Sequence, residues 1–172
     1  MHNRNNKGQF LKEEFNAYEI KGAVTYVQTV SGKVFRVDTE DLNLIRPFRW
    51  SESNGYIISL AGRLHQVLLK TKKSVDHKNG DPLDNRKDNL RIATKCQNAQ
   101  NSKRRIDNTS GYKGVSLRTD PRRIKRWRAC INCKGKQIVI GTYKTAEEAA
   151  EAYNRQARIL FGDFARLNEV KK

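Results

Sequence analysis

Apolar and polar positions change their pattern three times along the chain. VTYVQTV (24–30) and KVFRVD (33–38) bring β-branched and aromatic residues to either side of Ser31-Gly32, which predicts a β-hairpin. TEDLNLIRPF (39–48) predicts a short helix that stops at Pro47, because proline cannot continue a helical hydrogen-bond ladder. Asn54-Gly55 marks a second turn before the strand-like YIISL (56–60), and Ala61-Gly62 a third. LHQVLLK (64–70) fits a strand end or a short helix. Residues 1–14 are polar and read as a mobile tail. Residues 1–62 thus predict a small β-rich unit with no chemistry of its own.

The pattern changes at Val75. SVDH is short and extended, KNGDPLDNRKDN is a long polar loop, and LRIA (90–93) can pair back as a second strand. Thr94 starts a helix, with Gln97 three residues on completing a capping box. Strand, loop, strand and helix occupy 63–102. A basic linker, 103–110, follows. Three more strands are expected over YKGVSLR (112–118), RWRACIN (126–132) and KQIVIGTY (136–143). A last helix opens on the capping box of Thr145 and Glu148, carries the stripe Ala149, Tyr153, Ala157, Leu160, and stops at Gly162.

Strand alternation sorts the three later strands into two faces. Trp127, Ala129 and Ile131 point toward the helix stripe, as do Val115, Leu117, Ile138 and Ile140. Arg126, Arg128, Cys130, Asn132, Ser116, Arg118, Gln137 and Val139 point away. The fold class is α+β: a β-rich unit at 1–62, a ββα unit at 63–102, and a three-stranded antiparallel sheet on one helix at 111–172.

Charge narrows the partners. The 172 residues hold 35 Lys and Arg against 18 Asp and Glu, a formal net charge of +17. Residues 1–60 carry eight basic and seven acidic side chains, whereas 111–172 carry fifteen and six. Such a surplus points to a polyanion, nucleic acid first and an anionic membrane surface second. No apolar run is long enough to span a bilayer, and MHNRNNKGQF lacks the apolar segment of a secretory leader. A cytoplasmic protein that is not secreted is the expectation. Three cysteines do not close a disulfide framework. The C-x-x-C of Cys130 and Cys133 finds only Cys96 as a further thiolate, short of a four-ligand zinc site. The thiols are read as reduced.

The candidate chemistry sits in VDHKNGDPLDNRKDNLRIATKCQN (75–98). Neighbouring side chains on an extended segment diverge, so Asp76 can face a metal while His77 faces water beside it. Asn98, on the following helix, can add an amide oxygen. One carboxylate and one amide oxygen make a hard, incomplete shell suited to one Mg²⁺ or Mn²⁺ ion. A neutral His77 can then act as general base on water.

These residues resemble the HNH endonucleases with their ββα-metal motif, most closely the homing-type nicking enzymes of phages and introns. The resemblance covers about residues 63–101. It implies Asp76 and Asn98 as metal ligands, His77 as general base, and Asn89 as the residue that fixes the loop or orients the histidine. Asn98 stands where the best-known pattern has His, which implies weaker metal holding. His65 resembles a family position just upstream and is a candidate contact of the site.

Residues 111–168 resemble the plant ethylene-response-factor type of DNA-binding domain, through GYKGV, a W-x-A-x-I strand, IGTY, TAEEAAEAYN and LFGDFARLN. The resemblance implies DNA contact by the outward sheet face. Arg118 matches a contacting Arg. Ser116, Asn132, Gln137 and Val139 replace the Arg or Trp usual in plants, so the plant target sequence does not carry over. Arg126, Arg128, Lys113 and Lys136 complete the candidate contacts.

The sequence therefore predicts a monomeric, site-specific endonuclease that nicks double-stranded DNA, with no membrane partner. The alternative is a DNA-binding regulator with an inactive HNH unit. An RNA-binding protein lacks support, since no aromatic stacking platform is evident.

Overall fold

The computed structural model describes residues 11–12, 15–120, 122, 124 and 126–170. Most of the polar tail expected at 1–14, His2 included, lies outside the described residues. The chain divides into two compact units, Met1–Thr94 and Lys95–Lys172. Mixed helices and antiparallel sheets make it an α+β protein.

In the first unit β1 (Leu11–Lys12), β2 (Ala17–Lys21), β3 (Val24–Gln28) and β4 (Val34–Asp38) form an antiparallel sheet in chain order. The predicted hairpin is β3 and β4, in register from Val24 opposite Asp38 to Gln28 opposite Val34. Alternation along it buries Val27, Phe35 and Val37. A 3₁₀ turn at Thr39–Asp41 runs into α1 (Leu42–Ile45), which ends ahead of Pro47 as expected. Trp50 closes this corner, its indole N–H donating to the Ile45 carbonyl at 2.9 Å.

A small sheet follows, of β5 (Ser51–Ser53), β6 (Tyr56–Ser59) and β7 (Gly62–Arg63), and then α2 (Leu64–Leu68). Between the two readings of 64–70, the helical one holds. The SVDH and LRIA segments are β8 (Val75–His77) and β9 (Leu90–Ile92), an antiparallel pair. One core runs through all of this, from Tyr18, Val27 and Phe35 to Leu64, Leu68, Val75 and Leu90. The residues before position 63 and those after it therefore bury their apolar surface together.

β4 is the outer strand of its sheet, and the polar loop between β8 and β9 docks along it. Arg36 N–H donates to the Leu83 carbonyl, and Asn85 N–H donates to the Arg36 carbonyl, each at 2.8 Å. Arg36 and Asp84 thus form a parallel bridge. An exposed strand edge offers unpaired N–H and C=O groups; here they hold a loop in place.

The second unit holds α3 (Lys95–Gln100), then β10 (Val115–Leu117), β11 (Trp127–Cys133) and β12 (Lys136–Tyr143), with α4 (Ala146–Phe161) packed on the sheet. Thr145 Oγ1 accepts from Glu148 N–H at 3.1 Å. Glu148 reaches back to the Lys144 N–H at 3.0 Å, one residue earlier than a standard capping box. Val115, Ala129, Ala149 and Ala150 form one core cluster; Ile131, Tyr153, Ala157 and Phe161 form another.

Two expected inward residues differ. Leu117 is 47% exposed and Ile138 is 40% exposed. Both lie on outer strands of the three. A helix is only about 10 Å across, roughly the width of two strand spacings, so it covers the middle strand and leaves parts of the flanking strands open. The bulge between Ala129 and Cys130, where the partner moves from Gly141 to Val139, leaves Ile140 as the β12 side chain that reaches both clusters.

Candidate active site

All three residues of β8 are buried, an unusual setting for the Asp76-His77 pair. Antiparallel pairing places Arg91 of β9 directly opposite Asp76, and Leu90 opposite His77. Cross-strand neighbours on one face are close enough for direct contact. Arg91 Nε and Nη2 both donate to Asp76 Oδ2, at 2.8 and 2.7 Å.

The His77 ring sits among aromatic neighbours. His65, on α2, meets it edge-on with centroids 5.2 Å apart, and Tyr56 of β6 lies 5.6 Å from His65 and 6.4 Å from His77. Burial disfavours an imidazolium. It pushes His77 below the usual histidine value, while the hydrogen bond to Asn85 and the charges of Asp76, Asp81 and Asp84 pull the other way. His65, buried and beside His77 and Arg63, is lowered to about 4. Both rings are neutral at pH 7, and a neutral His77 can accept a proton.

The Asn- and Asp-rich loop is a hydrogen-bonded cradle under this ring. Gly80, at φ +69°, turns the chain so that its N–H reaches the His77 carbonyl at 2.8 Å. Asn89 Oδ1 accepts from Asn79 N–H at 3.0 Å, and Asn89 Nδ2 donates to the Asp84 carbonyl at 2.7 Å. Asn89 thus ties the two ends of the loop together through its backbone. Asp84, fully buried, takes a two-pronged bond from Arg86 (Nε and Nη2, both 2.7 Å) and a third from Asn79 Nδ2 at 3.0 Å. The Arg86 bond, reinforced by Arg36, holds its carboxyl below the usual range although burial opposes this. Arg36 Nη2 also donates to Asp81 at 2.8 Å. Asn85 completes the cradle, with Oδ1 3.3 Å from His77 Nε2.

The structure therefore brings Asp76, His77, Asn89 and His65 together within the first unit. Asn98 lies on α3, in the second unit. On the later sheet, Ser116, Arg118, Arg126, Asn132, Lys136 and Gln137 are exposed. Arg128 is half-buried, and its Nε has no hydrogen-bond partner among the described residues. Lys113 departs from the expected outward role. Its Nζ donates to the carbonyls of Gln100 and Ser102 at 2.6 and 2.7 Å, tethering the end of α3, and burial lowers its pKa to about 8.

Sequence reasoning missed Arg91, Asp84, Asn85, Arg36 and Tyr56. Arg91 was recoverable from the β8–β9 register. Asn85 and Asp84 carried no signal of their own in a loop where such residues also serve turns.

Among the described residues no three His, Cys, Asp or Glu side chains cluster as a metal cage. The donor types the motif supplies, one carboxylate and one amide oxygen, suit a hard divalent ion that keeps waters and a substrate phosphate. They fit such an ion with one reservation of chemistry: the Arg91 guanidinium already neutralises Asp76. Among the described residues, no helix is long and apolar enough to cross a membrane.

A strand–loop–strand that buries an Asp-His pair over an Asn-tied loop defines the class. Residues 60–100 match the model of the HNH endonuclease family; the chain carries an HNH endonuclease domain there and is a nuclease. It is 38% identical over 93 residues to Protein 3.8 of Escherichia phage T7, a match covering 54% of this chain and 74% of that protein. An uncharacterized HNH endonuclease of Acanthamoeba polyphaga mimivirus is 34% identical over 96 residues, 56% of this chain and 47% of that protein. The chain thus spans about three quarters of the first relative and about half of the second. No solved structure matches it.

Proposed function

We propose that this chain is a homing-type, site-specific DNA endonuclease that nicks one strand of a duplex as a monomer. The observation that carries the reading is the buried, neutral His77, held over the loop beside Asp76 within the stretch that matches the HNH family. His77 takes a proton from the attacking water. Asn89 holds the loop shape, and the aromatic edge of His65 limits how the His77 ring can turn. Asp76 and Asn98, as the motif pairs them, would hold one Mg²⁺ or Mn²⁺ ion, which stabilises charge on the phosphate and leaving oxygen when bound. We assign the exposed sheet residues Ser116, Arg118, Arg126, Asn132, Lys136 and Gln137 to DNA contact. The ethylene-response-factor likeness supports that role.

The test is conversion of supercoiled plasmid with and without Mg²⁺, followed by denaturing gels with each strand labelled. Nicked circles that require the ion and vanish in His77→Ala are expected. Arg91 competes for Asp76, so half-maximal activity should need millimolar Mg²⁺, and EDTA should abolish cutting. Double-strand breaks formed as fast as the first nick would overturn the single-strand mechanism.

The Asp76–Arg91 ion pair also favours a second reading, a DNA-binding regulator whose HNH unit is inactive because its carboxylate is already engaged. No nicking at any Mg²⁺ or Mn²⁺ concentration, with duplex binding intact, would select it.

A further inference from the structure

Asn85 faces His77 from inside the loop, and the HNH motif gives it no role. Its side chain is almost fully enclosed, at 1% exposure. A carboxamide can offer a ring nitrogen either its oxygen or its NH₂, so the opposite end decides which. Asn85 Nδ2 donates to the Pro82 carbonyl at 3.0 Å, a group that can only accept. Oδ1 is therefore the atom turned to His77 Nε2, 3.3 Å away. The backbone behind it is held as well, through the bond from Asn85 N–H to the Arg36 carbonyl of β4 at 2.8 Å.

An oxygen acceptor requires a proton on Nε2. In a neutral imidazole the lone pair then lies on Nδ1. We propose that Asn85 is a positioning residue that holds His77 as the Nε2–H tautomer, so that Nδ1 is the nitrogen that takes the proton from water. This rests on His77 being the base of the nuclease reading above. In the step, an O–H bond of water breaks and its proton goes to Nδ1. The oxygen keeps the electron pair and forms the new P–O bond. The ester P–O bond breaks, and its pair leaves with the departing oxygen, which takes a proton from solvent. The imidazolium that forms still donates Nε2–H to Asn85 Oδ1, and a charged donor strengthens that bond.

The test uses the full chain, ¹⁵N-labelled and metal-free, in a long-range ¹H–¹⁵N spectrum near pH 7.5, with His77 signals identified by their loss in His77→Gln. Nε2 should show the protonated shift and Nδ1 the unprotonated one. Asn85→Ala should give mixed tautomers and lower kcat for nicking about 10–100-fold with little change in KM. Asn85→Asp keeps an acceptor oxygen and should keep the Nε2–H pattern. A wild-type ring protonated on Nδ1 overturns the proposal without any variant. So does a folded Asn85→Ala with unchanged tautomer and kcat. If Asn85→Ala does not fold, the wild-type and Asn85→Asp spectra decide. A chain that shows the expected tautomers yet never cuts DNA overturns the base role and supports the positioning.

Discussion

Asn89 spends both ends of its amide on backbone groups, and that decides what its loss costs. Truncation leaves the Asn79 N–H and the Asp84 carbonyl without their partner inside the loop. Asn79 is exposed, so water can take its N–H, but the Asp84 carbonyl belongs to a fully buried residue, and a buried group left unsatisfied costs about 1–3 kcal/mol. Asn89→Ala should therefore lower the stability of the first unit by about 1–3 kcal/mol, read as a lower urea midpoint, and should lower activity through the loop rather than through proton transfer. His65 makes a second residue-scale prediction. Unfolded, it takes a proton near pH 6.5; folded, not until about 4. Between those values acid protonates only the unfolded chain, so stability present above pH 6.5 is lost as pH falls toward 4. Denaturation curves across that window should show the loss, and His65→Gln should flatten it. The part left by His77, whose value is also lowered, should remain. Asp76 and His77 stood out in the sequence because they are adjacent. Asn85 did not, since its importance lies in one hydrogen bond inside a loop full of similar residues.

At the scale of elements, β8 and β9 are only three residues each. So short a pair has little stability alone; burial of Val75 and Leu90 in the common core and the loop's docking on β4 hold it. In the second unit the tight point is where β10 begins. Gly114, at φ +75°, lies against the Tyr153 ring and the Cys130 carbonyl, and an added Cβ would collide with both. Gly114→Ala combines an unfavourable backbone conformation with overpacking, together about 2–4 kcal/mol. Thermal melting should show that loss, and near-ultraviolet circular dichroism should show Tyr153 disturbed. The helix stripe, the cap at Thr145 and the stop at Gly162 were legible because all depend on residues within one turn of each other. Leu117 and Ile138 were misread because alternation tells which face a side chain takes and not whether anything covers that face.

For the whole molecule the governing quantity is the charge of +17 and its concentration after residue 60. Binding to duplex DNA by the full-length His77→Ala chain should weaken steeply with salt. Arg126→Ala and Lys136→Ala should each reduce the slope of log K against log salt by about 0.9 if they neutralise one phosphate. Arg118→Ala should relax site preference more than it lowers affinity. A flat salt response would contradict a DNA role for the basic sheet. Charge distribution was readable without coordinates, because it depends on composition and not on packing.

The strand–loop–strand order, the Asp76-His77 pair and the basic C-terminal sheet follow from short-range pattern, where neighbours in sequence are neighbours in space. The contacts that fasten the loop beneath that pair come from farther away. Arg36 reaches Asp81 across 45 positions, and Lys87 reaches Asp38 across 49. No periodicity encodes such contacts, because they arise when β4 leaves an unpaired edge and the shared core brings the loop to it. Lys113 shows the same limit: a lone lysine in a basic chain reads as a DNA contact, and only packing turns its ammonium onto the carbonyls of Gln100 and Ser102. The residue types of the site were thus written locally, while the hydrogen bonds that dock its loop on β4 were decided by which distant groups folding brought together.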